Sequence, residues 1–580
     1  MLTISKTFLL TLLLAGTVSA QIVTGSSSSG SGITQGFVID ATVAPYNVTS
    51  GNTVSDAAIT SGQANFTCPN NDCNFTAVQN GWICFATNLT TDESAGTSVV
   101  ILPQGTLTVT GAQAASCSGG NATQSANPAT LMWGPDVTTG ANAAWAAAEA
   151  KCTTVMYPGG YLFVQSAIAN TSNDSCIVSK NYATYGITGS GPQQAQFVPT
   201  PNFSSSSCTG GSASNGCFFG ADDVNISNVG IWGGGNSAIG SGFNGKAAFV
   251  MMPSIAETGS NQIVQSVLLA SWGSNTTGFI GIEIGALSNP VLLAVHNDGV
   301  GYIGCEINSS VNYTIATFYN VYCAVNAQYS IYMASANQII SYGGFYGYTT
   351  LTSGGNTALE MAAGAYFYSY GDRFIYTSGT GNSSGSSVCT SACGAGFLYA
   401  DGSEFSNSIG SAYGLTLQGG MTAHIRDSIL TESGSSGTAL YVCATCKVYD
   451  EGGNTITASS GTAVNLLSGG QYVPAPNATT TFTGTATTVV PVPTGSGACA
   501  TITTVSGNGN AGVLTCTGTT GSSTIVLTPL FTAPHGFSCN GQDHTTVVDI
   551  LTQTAVSTTT CTLSGTVAAN DVISYTATPY

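Results

Sequence analysis

Val224-Asn225-Ile226-Ser227-Asn228-Val229-Gly230-Ile231 carries the pattern that decides the fold, and it returns along the chain. Further copies are Ile263-Val264-Gln265-Ser266-Val267-Leu268-Leu269, Gly281-Ile282-Glu283-Ile284 and Ile425-Arg426-Asp427-Ser428-Ile429-Leu430. Each is a short run of alternating apolar residues broken by Gly, Asn or Ser, the mark of half-buried strands joined by tight corners. From about residue 153 to 473 such segments recur at roughly 22 to 28 residues, a solenoid-like period. A parallel β-helix satisfies this pattern: alternate residues of each coil pack inward against the next coil, and Gly or Asn turns the corners. Right-handed winding is the expected hand for parallel crossovers.

Composition agrees. The 580 residues carry 25 Asp+Glu and 7 Lys+Arg, so 6% are charged, against about 25% in an ordinary soluble domain. Stacked coils explain the deficit, because like charges on neighbouring strands would lie only about 4.8 Å apart. With 43% hydrophobic residues the chain has material for a large core and lacks the signature of disorder. A net charge of −18 excludes the basic footprint that nucleic-acid binding needs. The 74 glycines show no period of three, and the scarcity of Glu, Lys and Arg argues against long helices.

Outward from the coils, Trp133-Gly134-Pro135-Asp136 precedes a single helical stretch, Ala-rich, over residues 140–151; Val155-Met156-Tyr157-Pro158-Gly159-Gly160-Tyr161 follows at once. This entry segment resembles the start of pectate-lyase-like secreted β-helix proteins, with Gly160 standing where that family usually has Thr. The resemblance extends over about 55–475 and implies a helix that seals the solenoid, preceded by a small β domain. It also allows Ca²⁺ held by Asp oxygens, although no motif here matches the family's ligand pattern; no other cofactor is expected. Because the family contains lyases, hydrolases, epimerases and non-enzymatic adhesins, the resemblance does not decide activity.

The expected class is therefore all-β: a right-handed parallel β-helix over 132–473 with an N-terminal cap helix, a small β domain over 37–131, and a C-terminal β-sandwich over 494–580. A Pro/Thr-rich linker, 474–493, joins the last two. Residues 1–20 read as a secretory signal, with Lys6, the apolar run Phe8–Ala15 and small residues up to Ala20, followed by a Ser/Gly-rich lead over 21–36. No later stretch is long and apolar enough to span a bilayer. Eighteen cysteines suit an oxidising compartment, and Cys443-Ala444-Thr445-Cys446 reads as a structural disulfide rather than half a zinc site.

In so uncharged a chain, clusters of ionisable groups stand out. Arg373 and Arg426, the two arginines, lie among Asp372, Asp401, Glu404, His424, Asp427 and Glu432, with Asp450 and Glu451 beyond. On neighbouring coils these would supply acid and base for glycoside hydrolysis, or a base and cation for a lyase. The alternative is that they are corner residues and ion pairs. His296 and Asp298, with Glu283 and Glu306 to either side, form a smaller group. Tyr346, Tyr348, Tyr366, Tyr368 and Tyr370 offer sugar-stacking platforms if they face outward, or an internal aromatic stack if they do not. Two functions follow. One is a secreted polysaccharide lyase or hydrolase working near residues 345–451. The other is a non-enzymatic adhesin or fibre component that binds glycans or assembles with further copies through its C-terminal segment.

Overall fold

A computed structural model describes residues 38–87, 100–151, 153–169, 185–189, 195–204, 217–221, 224–232, 247–251, 263–270, 280–284, 289–298, 303–308, 314–324, 329–334, 337–347, 357–362, 364–376, 387–388, 396–408, 413–434, 437–467, 470–475, 479–483, 493–507, 511–528, 535–545 and 550–579. The expected signal and lead lie outside these residues.

The repeated strands coil into a parallel β-helix with three faces. Sheet A holds thirteen described strands, from Val38–Asp40 to Gln471–Pro474. Sheet B holds twelve, from Gly160–Ser166 to Thr481–Thr483. Sheet C is a seven-stranded run from Ile168–Ala169 to Thr357–Met361, then a four-stranded run from Ser387–Val388 to Thr462–Leu466. Neighbouring strands pair in parallel, so equivalent residues of successive coils form columns. One inward column of sheet A runs Val264, Leu292, Phe318, Ser341, Ser369, Ala400, Ile425, Asp450. One inward column of sheet B runs Leu269, Asn297, Cys323, Tyr346, Phe374, Phe405, Leu430, Ile456. Within it Phe374 and Phe405 stack face to face at 4.7 Å.

Sheet A passes to sheet B through a two-residue corner whose first residue is left-handed: Asn228, Ser266, Ala294, Asn320, Gly343, Gly371, Gly402, Asp427 and Gly453. Gly and Asn reach this conformation at low cost, which is why they punctuate the sequence there. Each corner N–H donates to the next coil, as Gly371 does to the Asp401 carbonyl, so the ladder continues through the bend. The second corner residue turns inward, and a column of buried polar side chains follows: Asp372, Ser403, Ser428 and Asn454.

The cap helix, α1 (Thr138–Lys151), buries Ala141, Ala144, Trp145 and Ala148 along one face, against Val155, Tyr157, Leu162 and Phe197 of the first coils. Asp136 starts it by accepting from the Thr138 backbone N–H at 3.0 Å. Gly160 has φ +104°, and a Cβ there would meet the Ser50 side chain at 2.5 Å, so the Thr usual at this place does not fit. The N-terminal β domain is a closed six-stranded barrel around Phe66, Phe75 and Trp133. Val38–Asp40, ahead of the barrel strands, instead pairs with Thr154–Tyr157 in sheet A. Thr481–Thr483, inside the expected linker, adds a strand to sheet B. The expected C-terminal sandwich takes the form of one curled eight-stranded antiparallel sheet. Its two halves meet in a two-residue ladder and enclose a core that includes Leu514, Ile525, Leu563 and Ile573. Disulfides join Cys68–Cys73, Cys84–Cys117, Cys443–Cys446, Cys499–Cys516 and Cys539–Cys561.

Candidate functional site

The outward columns of sheet A are aromatic. Tyr319, Tyr342 and Tyr370 hold equivalent places on successive coils, and their rings stack at 5.0 Å for each pair. Tyr370 lies 5.8 Å from Tyr399, which also neighbours Tyr368. Tyr366, Tyr368 and Tyr370 alternate outward with Phe367 buried, as strand geometry requires. One coil on, the His424 ring stacks on Tyr449 at 4.5 Å, and the Lys447 ammonium sits 4.5 Å from the same Tyr449 ring. The face is thus a strip of flat, amphipathic rings edged by charge.

The polar candidates separate into three places. Asp401, His424 and Arg426 face outward on sheet A. Arg426 Nε donates to Asp401 Oδ1 at 3.0 Å while its Nη2 reaches Oδ2, and the hydrogen bond to Asp401 raises the guanidinium pKa further. His424 Nδ1 lies 2.7 Å from Glu451 Oε1. Arg373 and Glu404 face outward on sheet B, joined at 2.8 Å, with the guanidinium 5.8 Å from the Phe345 ring centroid. Asp427 stands between the sheets as an exposed left-handed corner residue.

Three candidates lie inside the solenoid. Asp372 occupies the inward corner position. Its carboxylate accepts from Ser341 Oγ, the Gly344 N–H and Ser369 Oγ at 2.9, 2.6 and 2.7 Å. Burial pushes its pKa up to about 6 against the downward pull of those bonds. Glu432 is buried where sheet B ends, with Oε1 accepting from the Gly434 N–H at 2.7 Å. Tyr346 is packed against Phe374, its hydroxyl 2.6 Å from Ser341 Oγ. Position along a strand, not distance along the chain, puts these three out of a ligand's reach. Tyr348 lies outside the described residues. Asp401, Glu404, Asp427 and Glu432 therefore do not converge, and Asp401 and Glu404 are each bound to an arginine. Such exposed pairs hold strands together weakly, by about 1 kcal/mol or less.

The smaller group also divides. His296 is on the outward face of sheet B, its ring 4.2 Å from Tyr322, and Asp298 ends the same strand. Glu283 and Glu306 belong to sheet C, where a register column runs Val250, Glu283, Glu306, Tyr332, Glu360. Their strand neighbours Ile282, Ile284, Cys305, Ile307, Leu359 and Met361 fill the core, so the glutamates point away from it. They are nevertheless buried, at 2% exposure for Glu283 and 8% for both Glu306 and Glu360. Burial, followed by the charge of Glu283, raises the Glu306 pKa to about 8. The legible signal was a glutamate set between apolar residues within a strand, as in Gly304-Cys305-Glu306-Ile307 and Ala358-Leu359-Glu360-Met361.

Among the described residues no cluster fits a Ca²⁺ site. Among the described residues, the one cluster of three ligand types is Cys68, Asp72 and Cys73, and its two cysteines are joined as a disulfide.

No protein-family model and no curated protein matches the chain. Solved structures similar to it include the A-module of a mannuronan C-5 epimerase from Azotobacter vinelandii, at 15% identity and TM-score 0.35, covering 61% of this chain and 96% of that one. A second is the enzymatically active domain of tailspike protein 2 from bacteriophage CBA120, at 13% identity and TM-score 0.40, covering 90% and 80%. A third is the catalytic unit of a GH87 α-1,3-glucanase from Streptomyces thermodiastaticus, at 11% and 0.33, covering 75% and 94%.

Proposed function

We infer that this chain is an extracellular carbohydrate-active β-helix protein that recognises a polysaccharide along the outer face of sheet A. The observation that carries the reading is the ladder Tyr319–Tyr342–Tyr370, continued by Tyr399 and Tyr368, on a solvent-facing sheet. Flat amphipathic rings at one-strand intervals suit the apolar faces of consecutive sugar rings, and each phenol can bond a hydroxyl. The five disulfides among the described residues and the basic-then-apolar N-terminal twenty residues support export to an oxidising compartment.

The test is affinity gel electrophoresis against soluble glucans, mannans, xylans and polygalacturonate. At least one polymer should retard the native chain, and Tyr342→Ala with Tyr370→Ala should abolish the retardation while leaving the melting curve of the protein intact. Unaltered retardation in the double variant, or none with any polymer, defeats the reading. An enzymatic activity in the 345–451 region has less support, because its carboxylates are dispersed or ion-paired.

A further inference from the structure

Charge is spread unevenly over the solenoid, and the tyrosine ladder lies where there is none. In sheet A the eight successive described strands from Thr154–Tyr157 to Tyr366–Tyr370 contain no Asp, Glu, Lys, Arg or His. Tyr319 and Tyr342 are 40% and 38% exposed, so this uncharged face meets solvent through its phenols. Charge enters one coil later, at Asp401, and there it is largely closed on itself. Arg426 donates to both Asp401 oxygens, and His424 Nδ1 lies 2.7 Å from Glu451 Oε1. Lys447 has no carboxylate partner among the described residues and sits 4.5 Å from the Tyr449 ring, two coils beyond Tyr399.

We propose that the ladder takes an extended, uncharged polysaccharide, laid parallel to the solenoid axis with successive sugars over successive coils. This rests on the reading of the sheet A face as a polysaccharide surface and adds the class of polymer. Extension follows from the geometry. Parallel register sets Tyr319, Tyr342 and Tyr370 in one column, with ring centroids 5.0 Å apart at each step. Tyr399, 5.8 Å from Tyr370, carries the contact to a fourth coil, and the Asp401–Arg426 pair ends the aromatic column there. A ribbon-like glycan stays against such a column along its length, whereas a coiled one touches it with one stretch of each turn.

The lack of charge follows from what an acid group would meet. A carboxylate or sulfate laid over Tyr319, Tyr342 and Tyr370 would give up water with no cation on those strands to receive it. At long range a chain of net charge −18 repels a polyanion, the more so at low salt. Sugar hydroxyls meet neither obstacle, because a phenol both donates and accepts hydrogen bonds.

The experiment runs the full chain in affinity gels, at low and high salt, against polymers that share a backbone and differ in charge. Glucan, mannan and xylan are each used neutral and carboxymethylated, polygalacturonate beside its carboxyl-reduced form, and soluble starch as a coiled neutral chain. Calorimetry with oligosaccharides of the best polymer, two to six sugars long, then counts the coils engaged. An extended neutral polymer should retard the protein equally at both salt concentrations, and more than its charged form or starch does. Affinity should rise with each sugar up to about four and then level. Tyr342→Ala should weaken binding about 5-fold with the melting curve unchanged; the charge and salt comparisons need no variant. Stronger retardation by the charged forms, or retardation that fades as salt rises, overturns the uncharged class and leaves polysaccharide recognition by the ladder standing. Equal retardation by starch, or affinity that stops rising at two sugars, overturns the axial, extended placement. Retardation that Tyr342→Ala leaves unaltered takes the polymer off the ladder. If no polymer of either charge retards the chain, the polysaccharide reading itself fails, and the class falls with it.

Discussion

Replacing Glu306 with Gln should stabilise the protein near neutrality, and by an amount that changes with pH. The Glu306 carboxyl ordinarily titrates at 4.5, and in the folded chain burial and the Glu283 charge raise this to about 8. Between those values the folded chain holds one proton more than the unfolded chain. Unfolding then releases a proton, and stability falls by about 1.4 kcal/mol for each pH unit gained. The contribution is therefore complete below about pH 4.5, is lost progressively as pH rises, and is gone above about pH 8. At pH 7 the native chain should have lost about 3 kcal/mol relative to pH 4.5 through this one group. Glutamine copies the shape of the neutral carboxyl and takes up no proton. The variant should thus match the native chain at pH 4 and exceed it by about 3 kcal/mol at pH 7. Urea unfolding of both proteins, followed by circular dichroism from pH 4 to 8.5, measures the difference. Asp372 titrates in both proteins and cancels. Two profiles that run parallel across the range would show that Glu306 is not held protonated in the folded chain.

Asp372→Ala should destabilise the solenoid by about 3 kcal/mol, because it leaves Ser341, Ser369 and the Gly344 N–H without their acceptor inside the core; chemical denaturation would measure it. Glu404→Ala should cost about 1 kcal/mol or less, since its partner Arg373 stays hydrated, and the loss should shrink further in high salt. Cys305 and Cys323 are free and buried within the core, and burial raises the Cys323 thiol well above its usual range. Both should resist a thiol reagent in the native protein and react after unfolding, as peptide mapping would show; labelling of either in the native state would contradict their placement. Gly160→Thr, which restores the residue usual in the resembling family, should lower the melting temperature, because the side chain would enter the space of Ser50 at a left-handed backbone.

Much of the architecture was legible because it depends on local rules. Alternation in Val224–Ser227 and its relatives, Gly and Asn at the corners, and the Ala-rich stretch ahead of Tyr157 specify strands, bends and a cap whatever surrounds them. The site was less legible, for two physical reasons. Coil length varies: Tyr319, Tyr342, Tyr370, Asp401 and Arg426 are equivalent in register though unevenly spaced in sequence. A fixed period therefore assigns the wrong neighbours. In addition, each left-handed corner interrupts the period of two, so the side that follows it is not given by counting. Asp372 and Asp427 illustrate this: each lies beside an arginine in sequence, yet one is the buried second residue of its corner and the other the exposed first.

The amino-acid sequence by itself determined that this chain coils, because burying alternate residues and avoiding stacked charge are local demands of every strand. Only the tertiary structure decided which carboxylates tie coils together inside the solenoid and which face away from its core. That distinction rests on what surrounds each carboxyl: hydrogen-bond donors from adjacent coils at Asp372 and Asp450, another glutamate at Glu306. Those neighbours come from strands tens of residues away, brought into register only when the coils stack.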